Sequence, residues 1–458
     1  MPYEHRKITS YGYDEDGRIE VERYGIASAD FRQTSFGSAQ IRYDYNETNG
    51  RLREKKVYND NGELDRREAY HYEEITGDLK HIYTYNKHNT LVREETTYRE
   101  KETGLVTARV TAEGTISYQY DDYGRLEQIA TSTGLQTRYK YDDYGRLETV
   151  VDPGMAPSGA GDSAVRYSYD ARSRKTAVHY PNNASATYSY DDARGGWVSE
   201  IVHTGATGQL LRLAYARQDD GLITRIAEER PDGDQTWAYD YDGLKRLNEA
   251  TRHGEFRPTG SFTTAANTSY VYRYDRRGNR VYAKKNASIV WSDYNPLDQL
   301  VATYQGSAAH DEDAPRPSGL TKLRENTWDQ LGRHTAETVL GSASESRAFT
   351  WSGDDRLLSV KLGSATDAPV IKYSYDSSGT RVARSALPSS PGDDAEETRY
   401  LADYENLTGY SQVLAEVGAS EEDSRSYVYG QEHLLLAQLG GGSGPAFFHG
   451  DHLGTTRG

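Results

Sequence analysis

The sequence predicts an all-β protein in which repeated β-hairpins pair side by side into one long sheet that curls into a spiral. Three observations predict it. A Tyr-x-Tyr-Asp-x-x-Gly unit recurs along the chain, the core is built from Tyr rather than aliphatics, and the 3.6-residue rhythm of helices is nearly absent.

The repeat comes first because it decides the architecture. The stretch Tyr118–Ala130, YQYDDYGRLEQIA, returns almost unchanged as Tyr139–Val151, YKYDDYGRLETVV. Looser copies begin at Tyr11, Tyr239, Tyr272 and Tyr373, and degenerate ones at Tyr167, Ser292, Thr327 and Phe349. Tyr118 and Tyr120 are two residues apart, so on a strand both rings share a face. Asp121 and Gly124 stand where a type I turn places its first and last residues. The Asp carboxylate accepts a backbone N–H two positions on, and Gly tolerates the positive φ that closes such a hairpin. The same spacing recurs at Asp14/Gly17, Asn59/Gly62, Asp142/Gly145, Asp275/Gly278, Asp329/Gly332 and Asp376/Gly379.

After the turn, Leu126 and Ile129 are three apart, as are Leu147 and Val150. On an ideal strand they would face opposite ways. Either a bulge restores the phase or both faces of the sheet are covered. A lone hairpin is marginal in water, so neighbours must pair. About seventeen hairpins give some thirty strands, more than an open sheet carries without curling, splitting or flattening. The best helical candidate is the short GQEHLLLAQL from Gly430.

Composition agrees. Leu, Ile, Val and Phe make up about 16% of residues, in the range usual for disordered chains, yet there are 39 Tyr, which disordered chains lack. Tyr buries a large ring while keeping its hydroxyl bonded or wet, which suits a thin sheet. The net charge of −16 lacks the clustered Lys and Arg that phosphate binding needs, so nucleic acid is not an expected partner. There is no Cys, and no apolar run approaches the ~18 residues of a membrane span. The start, MPYEHRKITS, does not read as a signal peptide.

Four segments interrupt the rhythm: Asp152–Ser163, Gly306–Gly319, Pro388–Glu397 and Gly440–Pro445. Rich in Gly, Pro, Ser or Asp, they read as surface loops, the last (GGGSGP) as a linker. Repeats resume around them, so residues 1–458 are expected to form a single array, with 427–458 as its distinct end region. The short-period stretch from Tyr43 to Tyr98 is a candidate for different packing.

The unit Tyr-Asp-x-x-Gly-Arg-Leu resembles the YD repeat of bacterial Rhs proteins, wall-associated protein A, the C subunits of Tc toxins and animal teneurins. The end, FFHGDHLGTTRG (Phe447–Gly458), is similar to the signature that closes an Rhs core: Asp451, His452, Leu453, Gly454 and Arg457 match it, and Thr455 stands where Ser is usual. The preceding Tyr427–Gln438 suits that context, and the resemblance spans essentially the whole chain. It implies a sheet spiralling into a shell that encloses a polypeptide cargo, often a toxin, or one that takes part in adhesion. It further implies secretion or display at the cell surface. Family toxins cut themselves downstream of that signature, so self-cleavage would need sequence beyond Gly458; Asp152–Gly154 lies far upstream of it. Both ends are expected to continue in a longer chain.

Chemistry is otherwise declined. His449, Asp451 and His452 suggest a metal site, but zinc needs three or four placed ligands, and Asp451/Gly454 repeats the turn spacing. Asp14-Glu15-Asp16-Gly17 is too short for a calcium loop, and DGDQ at Asp232 is no better. No nucleophile elbow, phosphate loop or dinucleotide fingerprint occurs. The sequence assigns no catalytic, cofactor-binding or metal-binding residue and no cofactor. Rows of Tyr offer the alternative of a glycan- or receptor-binding surface, against the simpler role of cross-strand ladders.

Overall fold

The computed structural model describes residues 5–28, 34–156, 163–254, 267–306, 316–387, 396–420, 423–431 and 434–456. Within them lie thirty-five strands, β1 (His5–Tyr13) to β35 (Ser443–Phe447), and two 3₁₀ turns, Pro153–Met155 and Ala343–Glu345. Each strand pairs antiparallel with the next in sequence, as β1 does with β2 (Ile19–Ser28) and β34 (Leu435–Gly440) with β35. One meandering sheet results. Among the described residues β1 and β35 do not pair, so it stays open.

The hairpin of β11 (Gln136–Tyr141) and β12 (Leu147–Val151) shows why the repeat folds this way. Asp142 Oδ1 accepts the N–H groups of Tyr144 and Arg146, each at 2.9 Å. Gly145 sits at φ +79° and returns its N–H to the Asp142 carbonyl. Tyr139 faces Val150 and Lys140 faces Thr149, but Tyr141 faces Leu147, so Glu148 is an extra residue. That bulge puts Leu147 and Val150 on one face, and both are buried. Of the two readings left open by the three-residue spacing, the bulge is the one adopted. β9 (Gly114–Tyr120) and β10 (Leu126–Thr131) repeat the shift between Leu126 and Gln128.

The two tyrosines of the unit do different work. Tyr139 is a core residue at 5% exposure. Tyr141, on the bulge, donates its hydroxyl to the Leu126 carbonyl of the preceding hairpin at 2.8 Å. Tyr120 does so to Val106, Tyr169 to Leu147 and Tyr274 to Leu247. Trp328 and Trp351 replace Tyr there because an indole N–H serves equally, reaching Leu300 and His334. Arg adds a second link. Arg146 binds Asp142 through Nε at 2.7 Å and lies over the Tyr169 ring of the next hairpin, 4.6 Å from its centroid. Arg125 treats Tyr141 likewise, as Arg174 does Tyr190. The motif is thus a connector between hairpins as well as a turn.

The sheet winds onto itself. Tyr58 meets Gly353, Glu95 meets Ser377, Tyr118 meets Asp403, Gly154 meets Leu439 and His203 meets Gly450. Both partners advance together along the chain, as in a spiral; a sheet folded back would run them in opposite directions. β9 meets β31 (Glu396–Asp403), so one winding takes about twenty-two strands. At ~4.8 Å per strand that is roughly 100 Å of travel. The largest core lies where windings overlap. It joins Ile116, Ile129, Val150, Val165 and Val178 of the first to Leu401, Leu414, Val428 and Leu436 of the second.

Four sequence expectations change. The helical candidate near Gly430 is strand: Leu435–Gly440 pairs with β33 (Arg425–Tyr429), because β33 has an open edge to satisfy and Leu434 and Leu436 reach the core; Glu432 and His433 lie outside the described residues. The GGGSGP linker is a tight hairpin turn, with Gly440 facing Ser443, since consecutive glycines reach the positive φ it needs. The loop from Asp152 opens with a 3₁₀ turn whose Met155 is fully buried, so its start is core. The Tyr43–Tyr98 stretch continues the same sheet through β4 (Leu52–Tyr58), β5 (Leu64–Tyr72), β6 (Leu79–Asn86) and β7 (Leu91–Arg99). Residues 157–162, 307–315 and 388–395 of the segments read as loops lie outside the described residues.

Candidate functional site: the seam between windings

Where the second winding meets the first, polar pairs, several of them buried, accompany the apolar core. At one end, Arg66 on β5 holds Asp354 through two parallel hydrogen bonds, that from Nη1 being 2.7 Å long. Arg66 also binds Glu68 at 2.9 Å, and Glu68 is completely buried. Burial would push the Asp354 carboxyl up, but the Arg66 bonds and the charges of Arg66 and Arg356 hold it well below the usual carboxylate range. The Gly353 N–H donates to Asp65, and Arg333, held by the Ser352 carbonyl of its own winding, reaches across to Asp60.

Further along, buried Glu95 on β7 accepts the Ser377 backbone N–H at 2.8 Å and its hydroxyl at 3.0 Å. Beyond it Tyr118 donates to Asp403 at 2.6 Å, with Glu405 N at 3.0 Å on the same carboxylate oxygen. Asp403 is fully buried, and that burial raises its carboxyl pKa despite these bonds. Tyr169 donates to Gln431, and the Tyr180 hydroxyl to the Phe448 carbonyl.

The seam ends in the C-terminal turn, which sits on Tyr180, ahead of β15 (Ser185–Asp191), and on β16 (Trp197–Gly205) and β17 (Gly208–Arg217). Asp451 Oδ1 accepts from Leu453 N and Thr455 N, and Gly454 closes the turn at φ +77°, the role its spacing predicts. His452 is a turn residue whose ring lies 4.6 Å from that of Tyr215. His449 points elsewhere: its Nδ1 is 3.1 Å from Nδ1 of His203 on β16. His203 is fully buried and donates through Nε2 to the Gly450 carbonyl at 3.0 Å.

The structure therefore separates the two histidines of HGDH and pairs His449 with one 246 residues away. Among the described residues no group of three or more His, Cys, Asp or Glu side chains is placed to hold a metal ion. Asp14 is a turn former bound to Arg18, and Asp152 caps the 3₁₀ turn while accepting from Gln136 N and Thr137. Arg457 lies outside the described residues. Sequence reasoning missed the seam residues Arg66, Glu95, His203, Asp354 and Asp403. The available signal was acidic or basic side chains at strand positions where the alternation calls for an apolar one, as at Glu68, Glu95 and His203.

No family model matches the chain. A curated relative, the tRNA3(Ser)-specific nuclease WapA of Bacillus spizizenii, is 27% identical over 187 residues, 40% of this chain and 6% of that protein. Similar solved structures include TcdB2-TccC3-TEV, at 12% identity and TM-score 0.49 over 97% of this chain and 24% of that one. TcdB2-TccC3 without its hypervariable C-terminal region is 14% identical, TM-score 0.36, over 98% and 29%. The chain thus spans about a quarter of those structures and a far smaller part of the nuclease. No helix among the described residues is long and apolar enough to cross a membrane.

Proposed function

We propose that the chain is a non-enzymatic segment of a shell that encloses or presents a polypeptide. The observation that carries this reading is the seam: one sheet winds round and locks onto its own earlier strands through buried, specifically paired groups. Such a wall gains its stability from self-contact and leaves its other surface for contents. The cargo is a polypeptide on the same or a separate chain, released outside the producing cell or at its surface. Expressing the complete open reading frame and digesting it with a nonspecific protease tests the idea. A cargo segment that survives while the intact wall persists, and is digested once urea opens the wall, is the expected result. A segment cut as fast as free peptide refutes enclosure.

One observation favours a second reading, a surface scaffold that binds glycans. Trp237 and Tyr239 lie parallel within 2°, Tyr270 stacks on Trp237 at 5.9 Å, and Arg252 and Lys285 approach these rings. Parallel rings edged by cations suit acidic sugars. A glycan array with wild type and Trp237→Ala separates the readings, because only the scaffold predicts binding that the substitution abolishes.

A further inference from the structure

The His203–His449 pair carries an inference that stands whether or not the chain encloses anything. Its hydrogen bonds fix its protons. His203 donates through Nε2 to the Gly450 carbonyl, so in the neutral ring its Nδ1 is a bare acceptor. The facing Nδ1 of His449, 3.1 Å away, must then be the donor. A first proton on the outer nitrogen of His449 leaves this arrangement intact. A proton on His203 does not, since two N–H groups on two cationic rings then face each other with no acceptor between them.

Among the described residues, the pair's near neighbours are apolar, aromatic, like-charged or already bonded. Across the sheet His203 is flanked by Ala186 on β15 and Leu211 on β17. Arg230 acts on it as a like charge, and Glu228 beside Arg230 binds that guanidinium and Gln235. Tyr180 packs edge-on to His449 at 5.5 Å, and the His452 ring tilts against that of Tyr215. The Asp451 carboxylate accepts backbone N–H groups of its own turn.

We infer that this imidazole pair is an acid-operated latch, whose double protonation releases the 447–456 segment from its seat on Tyr180, β16 and β17. Burial, with His449 second, lowers His203 from 6.5 to about 4, and burial lowers His449 too. The sign follows: below the free value the released segment binds more protons than the seated one, so acid favours release until His203 itself titrates. Each pH unit in that window shifts the balance up to ~10-fold, on the order of a hundredfold across it.

Hydrogen–deuterium exchange on the full chain, corrected for intrinsic rates, tests this between about pH 7 and pH 4.5. Protection at Phe448, whose N–H donates to the Leu436 carbonyl, and at Thr455, whose N–H donates to Asp451 Oδ1, should fall on the order of a hundredfold, while β11 and β12 hold. In His203→Gln the amide keeps a donor for Gly450 and an acceptor for His449 but takes no proton, so protection should stay level. Should that variant misfit its buried site, His449→Gln, on the released segment and outside the named strands, gives the same level profile. Level protection in wild type, loss in step with β11 and β12, or variants that trace the wild-type curve would each overturn the latch.

Discussion

Two regions share the same repeat yet differ in depth. Strands β8 (Val106–Thr111) to β15 lie beneath the second winding, and β11 alternates cleanly between buried and exposed. Strands β19 (Gln235–Tyr241) to β24 (Leu300–Gly306) have no second winding against them in the core clusters, and β21 (Thr268–Tyr274) is half-buried along nearly its whole length. The turn and connector chemistry is the same in both: Asp121 and Asp242 bind the same three positions, and Tyr141 and Tyr274 reach equivalent carbonyls. A hairpin's own sequence therefore sets its shape and its grip on its neighbour. Its contribution to a core depends on what lies over it.

The sharpest test exchanges the same atoms in each region. Val150→Ala, beneath the second winding at 0% exposure, should cost about 2–3 kcal/mol through lost burial and a cavity. Val271→Ala, only partly buried, should cost under about 1 kcal/mol in the same urea titration. Equal losses would break the comparison.

Next in size is the seam. Asp354→Asn should cost about 2 kcal/mol at neutral pH, less than a fully broken buried pair because Arg66 keeps Glu68. Because Asp354 is held below its ordinary 3.8, its contribution is complete above that value and lost only as pH falls through the lowered one. Wild type and variant should therefore converge in strong acid, as urea midpoints against pH would show. A constant gap would mean that the pair acts by packing.

A smaller effect should be equal in the two regions. Asp121→Ala and Asp242→Ala each remove a turn acceptor and its Arg partner, so both should lower the urea midpoint by the same amount. The smallest is a gain. Ser173 takes at φ 62° the turn position that Gly124 and Gly145 hold in their copies, and Ser173→Gly should stabilise by ~0.5–1 kcal/mol.

Much of this fold was legible in the chain, and particular residues show where legibility stopped. Asp121 and Gly124 announced a turn because turn formation is local. The bulge at Glu148 was half-legible: Leu147 and Val150 are out of phase, but only pairing says which residue is skipped. LLLAQL near Gly430 misled because a short apolar run suits helix or strand, and the open edge of β33 decided it. The seam was hidden because Tyr118 and Asp403 lie 285 residues apart, and nothing local marks them as partners.

The sequence by itself determined the hairpin, its corner and its link to the next hairpin, since each rests on groups within about one repeat of each other. Tertiary structure alone decided which strands become covered, which carboxylates end up buried and which histidine meets His449. Those depend on the accumulated twist of some twenty-two strands, a sum to which every pair contributes a little and none decides.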